Sequence, residues 1–282
     1  MLIRDVVLAK IENGNPELQI VILGGGPTAV ELAGELRSWL NEFDKQKGSA
    51  IQSSVTLMEQ TPRILGSFPE RMRTLALRRL VRFNITLRTS ETAISVRSGV
   101  LELKSGATLP WSVLIWAGGN HPSVATASLT ALKKNERGQI NIAPDTSVSR
   151  ETTGDAQRHM FAVGDGAVFL NSRTGYAVPQ VARPAILQGK IAADAILADL
   201  RREQGQSVLS PQFYPFEYPY ILPVAGKYAI AKFGPIIFDG LFAWIAKGLV
   251  ELNYFFSILP FWRAIAVWTE GLVIFIRNDR LG

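Results

Sequence analysis

The sequence predicts an α/β fold, and three features of its first 60 residues support that prediction. Residues 18–24, LQIVILG, form a continuous β-rich run that ends in glycines, and residues 28–40, TAVELAGELRSWL, carry apolar side chains at helical spacing. Residues 54–60, SVTLMEQ, form a second apolar run. Strand, tight turn, helix and strand in this order make one βαβ unit, so we expect a Rossmann-like domain built on a parallel sheet.

The composition limits the classes of function. The chain has 282 residues, 47% of them hydrophobic, which is enough for one large domain or two modest ones. A net charge of +6 suits nucleotide phosphates, acidic lipid or nucleic acid, and charge alone does not choose among them. Cysteine is absent, which excludes disulfides and thiolate sites in this chain, and His121 and His159 are isolated, so we predict no metal site.

Further elements follow along the chain. Residues 71–83 form a basic amphipathic helix, residues 92–110 alternate as small antiparallel strands, and residues 112–119, SVLIWAGG, form a buried strand. Residues 159–167, HMFAVGDGA, are predicted as a buried strand that leads into a turn, and residues 184–200 as a helix. Three arginines share one face of the basic helix, which we interpret as solvated rather than as contacting phosphate or lipid: Arg71, Arg78 and Arg82.

The glycine turn after the first strand is typical of a dinucleotide site. Gly24, Gly25 and Gly26 let a pyrophosphate approach main-chain N–H groups where Pro27 and Thr28 open the next helix, and the helix dipole there favours negative charge. Ala29 stands in place of the third glycine of the usual G-x-G-x-x-G pattern and is small enough for close packing of helix and strand. The alternative is a glycine turn that serves packing alone.

Glu59 ends the second strand, where an acidic side chain accepts hydrogen bonds from the adenosine ribose and repels a 2′-phosphate. This position favours NADH over NADPH. Its distance from the glycines exceeds the usual spacing of about twenty residues, so we expect a longer first helix or loop around residues 41–50. The alternative for Glu59 is an ordinary surface glutamate. Strand, turn, helix, strand and acid together favour nucleotide binding.

The motifs occur in a recognisable order. GGGPTAVELAGEL (24–36), VLIWAGG (113–119), RGQINIAPDTSV (137–148), FAVGDGA (161–167) and PQVARPAILQGKIAADAI (179–196) follow one another with the spacing of type II NADH dehydrogenases. The chain therefore resembles these single-subunit flavoprotein NADH:quinone oxidoreductases of the two-dinucleotide-binding-domain superfamily. The resemblance implies FAD and NAD(H) as cofactors, a membrane quinone as substrate, and a role in respiratory electron transfer.

The resemblance also implies roles for residues of the NADH domain. Glu31 corresponds to a glutamate near the nicotinamide and the isoalloxazine, and we assign it as catalytic. Ala117 and Gly118 resemble the segment that lies beside bound NADH. The alternative for Glu31 is a solvated acid in the first turns of a helix, where it favours the macrodipole.

In the FAD domain the resemblance places Gly164 and Asp165 at the ribitol and phosphate side of FAD. Pro179, Gln180 and Ala182 stand in the register of a family motif, AQxAxQ, at the flavin and quinone pocket, with Gln180 as a catalytic candidate. Pro184 replaces the second glutamine of that motif, which puts the quinone site in question. The alternatives are a simple turn aspartate for Asp165 and a polar residue at a helix start for Gln180.

The apolar pattern of the C-terminal part predicts contact with a membrane. After a connector rich in proline and aromatic residues (210–224), two apolar amphipathic helices meet at Pro260, and we expect residues 236–282 to dock on a membrane surface. The alternative is packing against protein. Four charges interrupt the apolar run, so we expect no transmembrane helix: Lys247, Glu251, Arg263 and Glu270.

These features predict an NADH domain, the second half of a FAD domain and a membrane-docking segment, in that order. The expected regions are a connector helix (1–17), the NAD(H)-binding domain (18–120), the C-terminal half of the FAD domain (121–202) and the amphipathic region (203–282). In the family the first FAD glycine motif precedes the NADH domain, so we expect an N-terminally truncated form with an incomplete FAD site.

The expected partners are a membrane quinone and a membrane surface, and we expect no nucleic acid. A homodimer and a separate N-terminal FAD-domain fragment are two further candidates. We expect a peripheral membrane protein on the cytoplasmic side or the equivalent organellar inner face. The alternative function is a non-catalytic, membrane-associated NADH-binding protein or an inactive remnant.

Overall fold

The computed structural model describes residues 3–12, 17–47, 52–120, 122–148, 160–173, 175–215 and 219–278, so His121 and His159 lie outside the described residues. The chain divides into two compact units, Met1–Gly119 with Pro219–Gly282 and Asn120–Tyr218. The elements are α1 (Ile3–Glu12), β1 (Leu18–Leu23), α2 (Pro27–Lys47), β2 (Ser53–Glu59), α3 (Glu70–Arg82), β3 (Ile85–Thr89), β4 (Ala93–Arg97), β5 (Val100–Leu103), β6 (Thr108–Pro110), β7 (Val113–Trp116), α4 (Val124–Ser128), β8 (Ile140–Asn141), β9 (Ala167–Val168), α5 (Ala182–Glu203), β10 (Tyr220–Pro223), β11 (Ala229–Phe233), β12 (Ile236–Gly240), α6 (Leu241–Ile258) and α7 (Phe261–Asn278).

A four-stranded parallel sheet in the order β3-β2-β1-β7 forms the centre of the first unit. β1 is buried along almost its whole length, as its unbroken apolar sequence predicts for a central parallel strand. In the ladder Leu23 pairs with both Met58 and Trp116, so β1, β2 and β7 end at the same edge. The order of strands reverses between β1 and β7, which is where ligands bind in open α/β sheets. The predicted α/β fold is confirmed.

Two layers cover this sheet. α2 and α3 pack on one face, where their apolar stripes contribute Ala29, Ala33, Met72, Ala76 and Leu80 to the main core. The antiparallel sheet β4-β5-β6 packs on the other face through Leu101 and Leu103, against Val21, Leu23 and Met58. The three arginines of α3 that were predicted to be solvated, Arg71, Arg78 and Arg82, are exposed.

A second antiparallel sheet, β10-β11-β12, lies in the first unit between the C-terminal helices and the helices of the parallel sheet. One face contributes Leu222, Val224 and Ile230 to the main core, while the other packs Ala229 and Ala231 against α6. Residues 210–224 are predicted as a connector, yet residues 220–223 form β10. These residues form a strand because they pair with β11, which lies further along the chain. A connector does not require such pairing.

Two contacts fix this sheet to the helices of the parallel sheet. Arg79 of α3 donates hydrogen bonds from Nε to the carbonyl of Val224 at 3.1 Å and from Nη2 to that of Ala225 at 2.8 Å. Its guanidinium lies over the rings of Phe83 and Tyr228. On α2, Gly34 approaches the same turn so closely that a Cβ there would lie 2.7 Å from the amide nitrogen of Ala225.

The C-terminal helices α6 and α7 meet at Pro260, as predicted, and Trp268 Nε1 donates a hydrogen bond of 2.8 Å to the carbonyl of Gly248. In α6 only Ala243 and Trp244 are buried, among the residues the structure describes. By length and composition alone α6 could cross a membrane, with a mean hydropathy of 1.2 over 18 residues. α6 passes this test although Lys247 and Glu251 lie within it, and the expectation of no transmembrane helix stays a prediction.

The second unit is built around a short parallel pair, β8 and β9, and the long helix α5. The helix predicted over residues 184–200 is confirmed within α5. The turn predicted at Gly164 and Asp165 is present, since Gly164–Gly166 form a 3₁₀ turn before β9. The strand predicted ahead of that turn is not formed over the described residues, where Phe161 makes only an isolated bridge to Ser147. Gly164 has a φ of +70°, which a strand cannot accommodate. The functional boundaries 1–17, 18–120, 121–202 and 203–282 stay predictions.

Candidate functional site

The turn between β1 and α2 requires its first glycine. The amide of Gly24 donates to the carbonyl of Met58 at 2.7 Å, and its φ of +122° is a conformation that side chains rarely adopt. A Cβ at Gly24 would lie 2.5 Å from the carbonyl oxygen of Ala117 and 3.0 Å from the Cα of Gly118. The backbone of the residues after β7 therefore lies directly against the turn, which only glycine permits.

The next two glycines differ in their surroundings. A Cβ at Gly25 would lie 2.8 Å from both Cγ and Oε2 of Glu59, and the carbonyl of Gly25 accepts a hydrogen bond of 2.7 Å from the amide of Leu65. A Cβ at Gly26 would have no described heavy atom within 4 Å. The turn is thus packed tightly at Gly24 and Gly25 and open at Gly26, where a ligand can approach the main chain.

Helix α2 begins directly behind this opening. Pro27 is its first residue, a position where the missing N–H costs nothing, and the amide of Val30 closes the first turn on the carbonyl of Gly26 at 3.1 Å. The first amides of a helix have no acceptor within the helix and carry the positive end of its dipole. Thr28 is exposed, whereas Ala29, at the third glycine position, is completely buried.

Glu59 is held beside the glycine turn. Its Oε1 accepts a hydrogen bond of 2.7 Å from the amide of Thr61, and its side chain occupies the space next to Gly25. The half-buried carboxylate therefore stands at the carboxyl end of β2, next to the end of β1. The long interval between the glycines and Glu59 has the predicted cause, since α2 extends over 21 residues.

Ala117 and Gly118 complete this edge. The amide of Ala117 donates to the carbonyl of Leu23 at 2.8 Å, which continues the β1–β7 ladder past the end of the strands. A Cβ at Gly118 would lie 3.0 Å from the indole ring of Trp116. The structure thus brings Gly24, Gly25, Gly26, Glu59, Ala117 and Gly118 together at one edge of the sheet.

Glu31 lies on α2 one turn beyond the opening. Burial raises the pKa of the Glu31 carboxyl above its ordinary value, and the positive charge of Lys247 on α6 lowers it in part. In the sequence, Lys247 stands out only as a charge that interrupts an apolar run. Its electrostatic interaction with Glu31 joins two helices that are more than 200 residues apart in the chain, and local sequence spacing gives no signal for it.

In the second unit the 3₁₀ turn Gly164–Gly166 is surrounded by glutamine amides. Gln180 Nε2 donates to the carbonyl of Asp165 at 2.7 Å, and Gln139 Nε2 donates to the same oxygen at 3.1 Å. The amide of Gly164 donates to Gln188 Oε1 at 2.8 Å. The structure therefore brings the predicted residues Gly164, Asp165 and Gln180 together, and the side chain of Asp165 is exposed.

Sequence reasoning missed Gln139 and Gln188. A signal for Gln188 was present, because it falls four residues after Pro184 and seven before Ala195, on the buried stripe of α5. Pro179 and Ala182 are exposed, whereas Pro184, in the place of the family's second glutamine, is buried. The hollow lined by Gly164, Asp165, Gln180, Pro184 and Gln188 measures about 10 Å³, so the turn offers a surface to a ligand and not an enclosed pocket.

Comparisons with known proteins identify the family of this chain. Residues 6–189 match the family described as pyridine nucleotide-disulphide oxidoreductase. The chain is 28% identical over 231 residues to the internal alternative NAD(P)H-ubiquinone oxidoreductase A1, mitochondrial, of Solanum tuberosum, which covers 81% of this chain and 44% of that protein. It is 30% identical over 185 residues to the type II NADH:quinone oxidoreductase of Haemophilus influenzae, which covers 64% of this chain and 40% of that protein.

Among solved structures, NDH2 from Plasmodium falciparum in complex with NADH matches with a TM-score of 0.74 at 15% identity, covering 99% of this chain and 71% of that chain. At this identity the likeness concerns the fold alone. The chain spans less than half the length of each of these two curated relatives, 44% and 40%.

The predicted resemblance is confirmed at the level that these comparisons reach. The similar curated proteins include type II NADH:quinone oxidoreductases, and the family match extends from α1 into α5. Since residues 6–189 make up well over half of 282 residues, the chain belongs to the pyridine nucleotide-disulphide oxidoreductase family.

Proposed function

We propose that this chain acts in a type II NADH:quinone oxidoreductase, which does not pump protons, moves a hydride from NADH to FAD and passes two electrons to a membrane quinone. One observation carries the proposal: the glycine turn, Glu59 and the Ala117–Gly118 segment meet at the edge where the strand order reverses. The names of the curated relatives support the same reaction.

In this proposal the first unit binds NADH. The pyrophosphate approaches the open main chain at Gly26, where the first amides of α2, behind Pro27 and Thr28, supply hydrogen bonds and a positive dipole. Glu59 accepts hydrogen bonds from the hydroxyl groups of the adenosine ribose, which favours NADH over NADPH. Ala117 and Gly118, in contact with Gly24, flank the other half of the dinucleotide.

The second unit contributes residues that would hold FAD. Gly164 has the left-handed φ of +70° that the turn needs, and a Cβ at Gly166 would meet no described atom within 4 Å, so the turn is open to a ligand. Asp165, Pro179, Gln180 and Ala182 are exposed around it. The chemistry that FAD supplies when bound is acceptance of the nicotinamide hydride and delivery of two electrons to the quinone.

Glu31 is the residue of this chain best suited to hold a proton. Its raised pKa means that the carboxyl stays protonated to a higher pH than an exposed glutamate, and quinone reduction to quinol consumes two protons. Lys247 adjusts this pKa from α6. We assign to Glu31 the role of holding or transferring a proton at its carboxyl oxygens, which deepens its predicted catalytic role.

Helices α6 and α7 are the proposed membrane contact, which suits a lipid-soluble quinone. Phe242 and Trp262 are 79% and 78% exposed, an orientation that aromatic residues adopt at membrane interfaces. Between the helices lies a cavity of about 350 Å³ whose lining includes Trp244, Phe255 and Trp268 and suits an apolar chain. The proposed location is a membrane surface on the cytoplasmic side or the equivalent organellar inner face.

The proposal is tested by adding FAD, NADH and a short-chain quinone to the full chain bound to liposomes. We expect NADH oxidation that depends on both the flavin and the quinone. Binding of NADH with no flavin binding and no quinone reduction would contradict the proposal and favour a non-catalytic NADH-binding protein. Loss of the reaction in Glu31→Gln with unchanged NADH affinity would support the proton-holding role.

A further inference from the structure

Gln188 is a buried polar residue with a defined partner. It lies on the inner stripe of α5 with Pro184, Ala195 and Ala198, and only 4% of it is exposed. A glutamine in such a place is costly unless its amide is hydrogen-bonded. Its Oε1 accepts a hydrogen bond of 2.8 Å from the amide of Gly164, the first residue of the 3₁₀ turn.

Two further glutamines hold the next residue of that turn. The carbonyl of Asp165 accepts hydrogen bonds from Gln180 Nε2 at 2.7 Å and from Gln139 Nε2 at 3.1 Å. Gln139 is only 6% exposed and is itself oriented by Asn135. Asn135 Nδ2 donates a hydrogen bond to Gln139 Oε1 at 2.8 Å, and Asn135 Oδ1 accepts one from the main-chain N–H of Gln139 at 2.9 Å. Three amide side chains from separate segments therefore bind two consecutive residues.

These bonds hold the backbone of Asp165. With the amide of Gly164 and the carbonyl of Asp165 both bound by glutamines, the backbone of the turn cannot rotate without breaking hydrogen bonds, two of which are partly buried. The exposed side chain of Asp165 is then presented from a fixed backbone. Such a second layer of hydrogen bonds is how proteins keep a binding carboxylate in place before the ligand arrives.

We propose that Gln139, Gln180 and Gln188 form a glutamine clamp that positions Asp165 for the hydroxyl-rich ribityl chain of FAD. This inference rests on the proposed function, since it takes the flavin as the ligand. The three glutamines are positioning residues. Gln180, predicted as a catalytic residue at the quinone pocket, is thereby assigned to the turn, consistent with Pro184 in place of the second glutamine of that motif.

The test compares three variants of the full chain by quenching of flavin fluorescence on titration with FAD. Gln188→Met keeps the length of the side chain and removes the acceptor for Gly164, so we expect FAD affinity to fall about tenfold, equivalent to about 1.4 kcal/mol. Gln188→Glu keeps an acceptor and should stay within about threefold of the unmodified chain. Gln206→Met makes the same change at an exposed glutamine and should have no effect.

A measurement without ligand separates the clamp from the flavin. Hydrogen exchange at Gly164 should be faster in Gln188→Met and close to the unmodified chain in Gln188→Glu. Gln180→Met, a change at an exposed residue, serves as a second variant should Gln188→Met fail to fold, and should also weaken FAD binding. A structural role alone would lower thermal stability without changing FAD affinity.

The outcomes that overturn the inference are distinct. Unchanged exchange at Gly164 in Gln188→Met would show that the clamp does not hold the turn. Faster exchange with unchanged FAD affinity would show that the clamp does not serve the flavin. Failure of the unmodified chain to bind FAD would contradict the proposed function, while the exchange data would still decide whether Gln188 holds the turn.

Discussion

At the scale of single residues, Glu59 and Gly24 shape the edge of the parallel sheet where we propose that a dinucleotide binds. Glu59 contacts the space beside Gly25 and is fixed by the amide of Thr61, so its carboxylate is held where the adenosine ribose of a bound dinucleotide would lie in this fold. Gly24 admits no side chain because the carbonyl of Ala117 occupies that space. Acid and glycine together define the shape and charge of the proposed NADH site.

Glu59→Arg should weaken NADH binding about tenfold or more and reduce the preference for NADH over NADPH. The substitution removes an acceptor for ribose hydroxyls and adds a partner for a 2′-phosphate. Titration of both nucleotides against the full chain measures the effect, with Glu136→Arg, at an exposed position of the second unit, as the control. Equal affinities before and after the change would remove Glu59 from the ribose site.

The pH dependence of stability should report Glu31. Burial raises the pKa of Glu31 in the folded chain above 4.5. Its contribution to the free energy of unfolding is therefore fully present below pH 4.5 and is lost as the pH rises through the folded pKa. Glu31→Gln cannot ionise, so its Tm should exceed that of the unmodified chain at pH 8 by a margin that shrinks toward pH 4.5. Melting curves from pH 4 to pH 8 test this, and a difference that is constant with pH would contradict it.

At the scale of elements, helix α2 connects the nucleotide turn with the C-terminal sheet. Its first turn lies behind Gly26, and two turns later Gly34 contacts Ala225 in the turn that joins β10 and β11. From the other side, Arg79 of α3 binds the carbonyls of Val224 and Ala225. The sheet that supports α6 is therefore anchored to both helices that cover the parallel sheet.

Gly34→Ala should destabilise the chain although alanine is the better helix former. A Cβ at Gly34 would lie 2.7 Å from the amide nitrogen of Ala225, and such overpacking costs about 1–3 kcal/mol. Gly189→Ala is the matched control, because no described atom lies within 4 Å of its Cβ position in α5, and it should stabilise by up to about 1 kcal/mol. Denaturant unfolding of both variants measures the difference, and a stabilised Gly34→Ala chain would refute the close approach.

The elements that the sequence predicts are encoded by local patterns, whereas the elements that it misses depend on contacts between distant segments. β1, α2, β2 and α5 follow from local periodicity and turn chemistry, so the sequence analysis located them. The sheet β10-β11-β12 was missed, because its strands depend on pairing with each other and on burial against α2, α3 and α6. The clamp residues Gln139 and Gln188 were missed for the same reason, since their partners are main-chain groups of a distant turn.

At the scale of the whole molecule, the C-terminal helices present an apolar surface that the described part of the chain leaves uncovered. Exposed aromatic and aliphatic side chains occur on both helices, among them Phe242, Leu249, Phe261 and Trp262. Contiguous apolar surface of this kind is costly in water and marks a contact with a membrane or another protein.

Phe242→Glu with Trp262→Glu should lower the binding of the full chain to liposomes at least tenfold. Both side chains are nearly fully exposed, so their replacement should leave the fold intact and remove apolar area that a membrane would bury. Leu209→Glu changes a residue that is 93% exposed in the second unit and serves as the control. Sedimentation with liposomes measures the effect, and equal sedimentation of the double variant would direct the search toward a protein partner.

The central claim is that NADH binds at the opening of the turn between β1 and α2. Isothermal titration of NADH into the full chain and into Gly26→Val tests it most directly, because a Cβ at Gly26 would meet no described atom within 4 Å yet would extend into the space proposed for the pyrophosphate. Gly66→Val, at an equally open glycine, is the control. We expect one NADH per chain, binding weakened at least tenfold in Gly26→Val, and no change in Gly66→Val. Equal NADH affinity in a folded Gly26→Val chain would contradict the account.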